Sequence, residues 1–182
     1  MSTTSISQRI PLAFAEQRRR AGTLEMMRML RHLELECRTR EEAEGVADVI
    51  AGLLPDPLLG RLGLVELLLN AIEHGNLEIG GALKSQLIRE HRFEDELAAR
   101  LELEPYRSRR VHVRVDIAFP EIEIEIRDDG PGFAWHAELT REVEAHANPN
   151  GRGIALVSRT CFANFAYRDP GNVAVVKLVW PR

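Results

Sequence analysis

The chain has 182 residues, enough for one domain with a proper core and marginal for two. Its 45% hydrophobic and 29% charged content is that of an ordinary soluble globular protein. A formal net charge of −4 lacks the basic field that a nucleic-acid partner would favour, so none is expected. The apolar runs are broken by charges well short of a membrane span, and no signal-peptide pattern opens the sequence. Cys37 and Cys161 sit in apolar contexts and read as reduced core thiols rather than a disulfide or metal pair, which suits the cytoplasm.

Residues 1 to 28 show no sustained period. They read as a flexible or partner-dependent arm, with a short helix from Ala13 to Arg20 docking on a second subunit as the other reading. From Leu30 to Arg38 the chain alternates, with Leu33, Leu35 and Cys37 on one side, as a half-buried strand does. Thr39 and Glu42 form a capping box, and Val46, Val49, Ile50 and Leu53 make a helical stripe running through Leu54. The next helix, Asp56 to Gly75, organises the rest. Asp56 can cap it, Pro57 costs nothing at its first position, and Gly75 can take the left-handed turn that stops it. Residues 77 to 110 form a charged segment with Leu83, Leu87, Phe93, Leu97 and Leu101 at helical spacing. That pattern fits a solvated amphipathic helix or helix pair, or a partner surface.

Two strands follow. Val111, Val113, Val115 and Ile117 face one way on the first, and Ile122, Ile124 and Ile126 do so on the second, joined by a short link into a hairpin. Arg114 and the outward Glu121, Glu123 and Glu125 offer a cross-strand charge match. Asp169 to Asn172, DPGN, is turn chemistry between two further strands. The fold class expected is α+β, a two-layer sandwich of helices on a mixed, mainly antiparallel sheet. The expected domain spans residues 29–182, with a helical insertion near 77–110.

Chemistry concentrates in three stretches. In the organising helix, at about 100° per residue, Glu66, Asn70 and Glu73 fall within roughly 60° of one another, with His74 at the edge. Polar groups in so apolar a helix are expensive unless something polar lies over them. The second stretch runs from Ile126 to Phe133, where a strand ends in Asp128, Asp129, Gly130, Pro131 and Gly132. Read alone it is either an acidic surface turn or a loop whose glycines admit a ligand while the carboxylate accepts from an exocyclic amine. The third is Asn150, Gly151, Arg152 and Gly153 opening an apolar helix from Ile154 to Phe162, a generic anion site at a helix N-terminus. It lacks the Lys-Ser/Thr of a P-loop and the third glycine of a dinucleotide fingerprint. Residues 134 to 148 between the glycine stretches are a candidate lid.

The order of these pieces resembles the ATP-binding fold shared by histidine kinases, DNA gyrase, MutL and the heat-shock chaperone ATPase, over roughly residues 30 to 180. Within that GHKL (Bergerat-fold) superfamily it looks most like the bacterial anti-sigma-factor serine kinases. Two features steer the choice: no helical phosphoacceptor-histidine region precedes the domain and no transducer domain follows it. The resemblance implies a histidine-kinase-like ATPase fold and a Mg-ATP-dependent serine/threonine kinase that phosphorylates an anti-sigma-factor antagonist. It also implies a homodimer and a surface for a sigma factor, with no nucleic acid and no membrane. By position, Glu66 corresponds to the general base and Asn70 to the magnesium ligand. Asp128 corresponds to the adenine-recognising acid, with Gly130 and Gly132 beside it, and Gly151, Arg152 and Gly153 to the phosphate box. His74 is expected to cap or pack near the helix end and Glu73 to be structural. The threonine that the family places in the last strand is missing, since only Val173 or Ala174 stands there. Other functions remain open on the sequence: a nucleotide-gated binding module without phosphotransfer, or a histidine-kinase catalytic domain acting in trans.

Overall fold

The computed structural model of the chain describes residues 21–23, 25–26, 29–133, 135, 157–168 and 170–181. Gly151, Arg152 and Gly153, nearly all of the candidate lid and the first twenty residues lie outside them. The described part of the N-terminal arm has helical backbone at residues 21–23, 25, 26 and 29.

The sheet has five strands: β1 (His32–Cys37), β2 (Val111–Ala118), β3 (Glu121–Asp128), β4 (Asn164–Arg168) and β5 (Val173–Val179), in the order β1-β2-β3-β5-β4. All four pairings are antiparallel, so the mixed component expected is not found among the described residues. One face is apolar because the period-two alternation of every strand agrees in register. Val115 lies opposite Ile124, which lies opposite Val176. Helices α1 (Arg40–Ala51), α2 (Pro57–Asn70), α3 (Gly81–Arg89) and α4 (Phe93–Glu102) complete the α+β arrangement, and their apolar residues join those of the sheet in one core. Leu87, Phe93 and Leu97 of the 77–110 segment belong to that core.

Local chemistry sets the helix boundaries. The capping box forms: Thr39 Oγ1 accepts from the Glu42 amide at 3.2 Å, and Glu42 Oε2 accepts from the Thr39 amide at 3.1 Å. The expected stripe of α1 is corrected at one place, since Val49 is 55% exposed while Ala43, Ala47 and Ile50 are buried. Asp56 caps α2 by accepting from the Leu59 amide at 3.0 Å. Gly75 does not make a left-handed stop. After Asn70 the helix widens into a π-helical turn, Ala71–Asn76, and the chain leaves through Glu78 at φ 52°.

On the open face, register sets Arg114 opposite Glu125, yet Arg114 bonds Asp116 at 2.8 Å. Glu123 and Glu125 are instead held by Arg168 from β4, at 3.0 and 2.6 Å, and Glu123 also by Lys177 from β5 at 2.8 Å. The charge match therefore runs to the other side of β3 from the one expected.

Candidate nucleotide-binding site

The same alternation that buries Ile122, Ile124 and Ile126 carries on to Asp128, which consequently points its carboxylate at the apolar face. It is 7% exposed. Burial pushes its pKa up to about 6, against the pull of the Gly130 amide that bonds it. Its backbone is locked to the DPGN turn, since the Asp128 amide donates to the Asn172 carbonyl at 3.0 Å and Asn172 Nδ2 donates to the Asp128 carbonyl at 2.9 Å.

Two glycines make room for that carboxylate. A Cβ on Gly75 would fall inside the Asp128 carboxyl group, and one on Gly130 would meet the Gly75 carbonyl. Gly132, at φ 79°, lies so close to the Pro170 carbonyl that a side chain there would strike it, and the Phe133 amide donates to that carbonyl at 3.1 Å. The acidic glycine turn and the β4–β5 hairpin are thereby interlocked.

Above Asp128 lies a small open cavity of about 70 Å³. Tyr167, Ala174 and Ile126 pair in one row across β4, β5 and β3 and line it, with Leu67 and Ala71 from the helix side and Phe133. Asn70 and His74 supply polar atoms to its lining. Such a cavity, mostly apolar with a few convergent polar groups, is the form of a small-molecule site.

Asn70 Nδ2 donates to Glu66 Oε1 at 3.2 Å, one turn earlier. That bond uses the amide's donor end and leaves its oxygen as an acceptor. Glu66 itself does not line the cavity. It lies near Cys161, whose thiol is held up by burial first and by the Glu66 charge second. Glu73 parts company with the other two. It is 1% exposed and bonded to Lys84 Nζ at 2.5 Å, with Arg40 Nε at 3.6 Å, because the wheel of about 100° per residue no longer applies in the π-helical turn. His74 Nδ1 pairs with the Ile79 carbonyl at 2.5 Å while its ring borders the cavity, so packing and lining are combined.

A family model described as the histidine kinase-like ATPase domain matches residues 27–180. The chain belongs to that family. A comparison with curated proteins found no match. As a histidine kinase-like ATPase domain, the chain is an ATP-binding module. Among the described residues no helix is long and apolar enough to cross a membrane.

Sequence reasoning missed Tyr167 and Phe133 as lining residues, while Ala174 is one of the two residues it named at the place of the missing threonine. The register of the last two strands, which puts Tyr167 opposite Ala174, was the signal that could have found Tyr167. It also missed Asn76. Its Oδ1 accepts from the Asp129 amide at 2.7 Å, while its Nδ2 is buried without a partner among the described residues. An Asn one residue past a helical glycine is indistinguishable by type from a solvated cap.

Proposed function

We propose that the protein is a Mg-ATP-dependent serine/threonine kinase of the anti-sigma-factor type, acting in the cytoplasm on a small antagonist protein. The observation that carries this reading is the bonded pair Glu66 and Asn70 beside a cavity with a buried carboxylate at its floor. The apolar walls suit a purine face, and the Asp128 carboxylate suits an exocyclic amine. Asn70 fits a magnesium ion because its oxygen is left free as a hard donor, and Mg²⁺ shares such donors with phosphates. When bound, the ion would neutralise developing charge on the phosphates.

Glu66 is then the group to receive a proton. A substrate hydroxyl oxygen forms the new bond to the γ-phosphorus as its proton passes to the Glu66 carboxylate. The bond to the β,γ-bridging oxygen breaks and its electron pair leaves with ADP. Gly151, Arg152 and Gly153 are proposed to face the phosphates. A product phosphoserine carries a charge of about −1.5 to −2, enough to break a docked interface, which makes the reaction a workable partner switch. A homodimer that also holds a sigma factor is part of the same proposal.

Purified protein, Mg-ATP and candidate antagonist proteins are mixed, and phosphate is located by mass spectrometry. Phosphoserine or phosphothreonine on the antagonist, lost in Glu66→Gln, is the expected result. Acid-labile phosphohistidine would point to a histidine-kinase catalytic domain acting in trans. ATP-dependent complex formation with no phosphate transferred would point to a nucleotide-gated binding module. Either outcome overturns the serine kinase reading.

A further inference from the structure

Tyr167 is 8% exposed, and its ring is accounted for by packing. It meets Phe133 edge-on at 4.9 Å between centroids and Phe165 at 5.3 Å. A phenylalanine would make the same contacts. The hydroxyl is not accounted for, because it makes no hydrogen bond among the described residues and is not sealed off as the Asn76 amide nitrogen is. The cavity that Tyr167 lines is shared with Asp128, and β5 opposite offers only the methyl group of Ala174.

Resting on the nucleotide reading above, we propose that the Tyr167 hydroxyl is a second base-recognising group, donating to a ring nitrogen of adenine next to the amine that Asp128 accepts. The chemistry of the pair is directional. The adenine edge presents an amine donor beside a ring-nitrogen acceptor, N1 on one side and N7 on the other. A carboxylate next to a phenol presents the complement, acceptor then donor. Guanine places the O6 acceptor where the amine would be, and would turn lone pairs toward the carboxylate. Burial, and then the charges of Asp128 and Glu66, raise the phenol's pKa, so it remains a donor throughout the neutral range. Tyr167 thus takes up polar recognition that the side chains of Val173 and Ala174 cannot supply.

The test uses the full chain with ATP, 1-deaza-ATP and 7-deaza-ATP, each lacking one candidate acceptor, and compares wild type with Tyr167→Phe by calorimetry. Wild type should bind one of the two analogues about three- to tenfold more weakly than ATP, the range of one net hydrogen bond. Tyr167→Phe should bind ATP more weakly by a similar factor and should no longer distinguish that analogue from ATP. The wild-type comparison needs no mutation, so it stands even if the variant folds poorly. Equal binding of all three nucleotides by wild type, or discrimination that survives in Tyr167→Phe, would overturn the assignment while leaving the nucleotide site in place. Failure of wild type to bind ATP at all would overturn both.

Discussion

Asp128 shows how register sets the chemistry of one residue. A carboxylate in the fourth position of an otherwise isoleucine face must either find partners or hold its proton more tightly, and here burial lifts its pKa to about 6. The raised value means that the folded state binds the proton more readily than the unfolded chain. Its contribution to stability is therefore fully present below the ordinary carboxylate range and is lost as pH rises through about 6. In the role proposed for Asp128 binding runs the other way, because only the ionised form is a pure acceptor. The preference for ATP over purine-riboside triphosphate, which lacks the amine, should fall by roughly tenfold between pH 7 and pH 5. Comparing two triphosphates cancels the titration of the phosphates themselves. On the proposed kinase reading, Glu66→Gln should keep ATP affinity within about threefold and lose phosphotransfer by about 10²–10⁴. On the same reading, Asn70→Ala should instead weaken binding in the presence of magnesium, with little change in EDTA. Gly75→Ala places a methyl group in the Asp128 carboxyl group, so it should abolish ATP binding and destabilise the fold by about 1–3 kcal/mol in urea unfolding.

The element that matters most is the junction where α2 becomes a π-helical turn. Glu73, buried in that turn, takes Lys84 from α3 as its partner, and Lys84 also lies 5.4 Å from the Phe93 ring centroid at the start of α4. Arg40 of α1 reaches both Glu73 and Glu94. The 77–110 segment is thus fastened to the helix that carries the site, and its removal would strand a buried carboxylate. Lys84→Met should cost about 2–4 kcal/mol, less than a fully buried pair because Lys84 keeps some contact with solvent. Replacing Arg61, whose bond to Asp48 is on the surface, should leave the urea midpoint nearly unchanged. Paired urea titrations of the two variants check both. Helical spacing in the sequence marked Leu87, Phe93 and Leu97 as apolar positions of a helix or helix pair, but spacing carries no information on which elements they meet.

For the whole molecule, a ligand that binds only the folded state must stabilise it. At ATP concentrations near 100 times Kd the gain is about 2.7 kcal/mol, which for a chain of this size is a rise in Tm of roughly 5–10 °C. Scanning calorimetry with Mg-ATP, and again with ATP and EDTA, reads the nucleotide and metal contributions separately. Leu58, 82% exposed near the start of α2, shows that this uniformly apolar helix is not covered all round by the described residues. Its burial therefore differs from what composition alone implies.

What the chain determined by itself was much of what period and local bonding carry. The alternation of β2 and β3, the capping box at Thr39, the Asp56 cap and the turn at Pro170 to Asn172 follow from interactions within a few residues, and each is found where the pattern puts it. The i, i+4 pairing of Glu66 with Asn70 is of the same kind. Only the tertiary structure decided that Glu73 turns away toward Lys84, that Gly75 serves as a seat for Asp128 rather than as a stop, and that Tyr167 shares a cavity with that acid. These depend on groups distant in sequence meeting across the sheet and the helix layer. Packing and desolvation act on such neighbours whatever their separation along the chain.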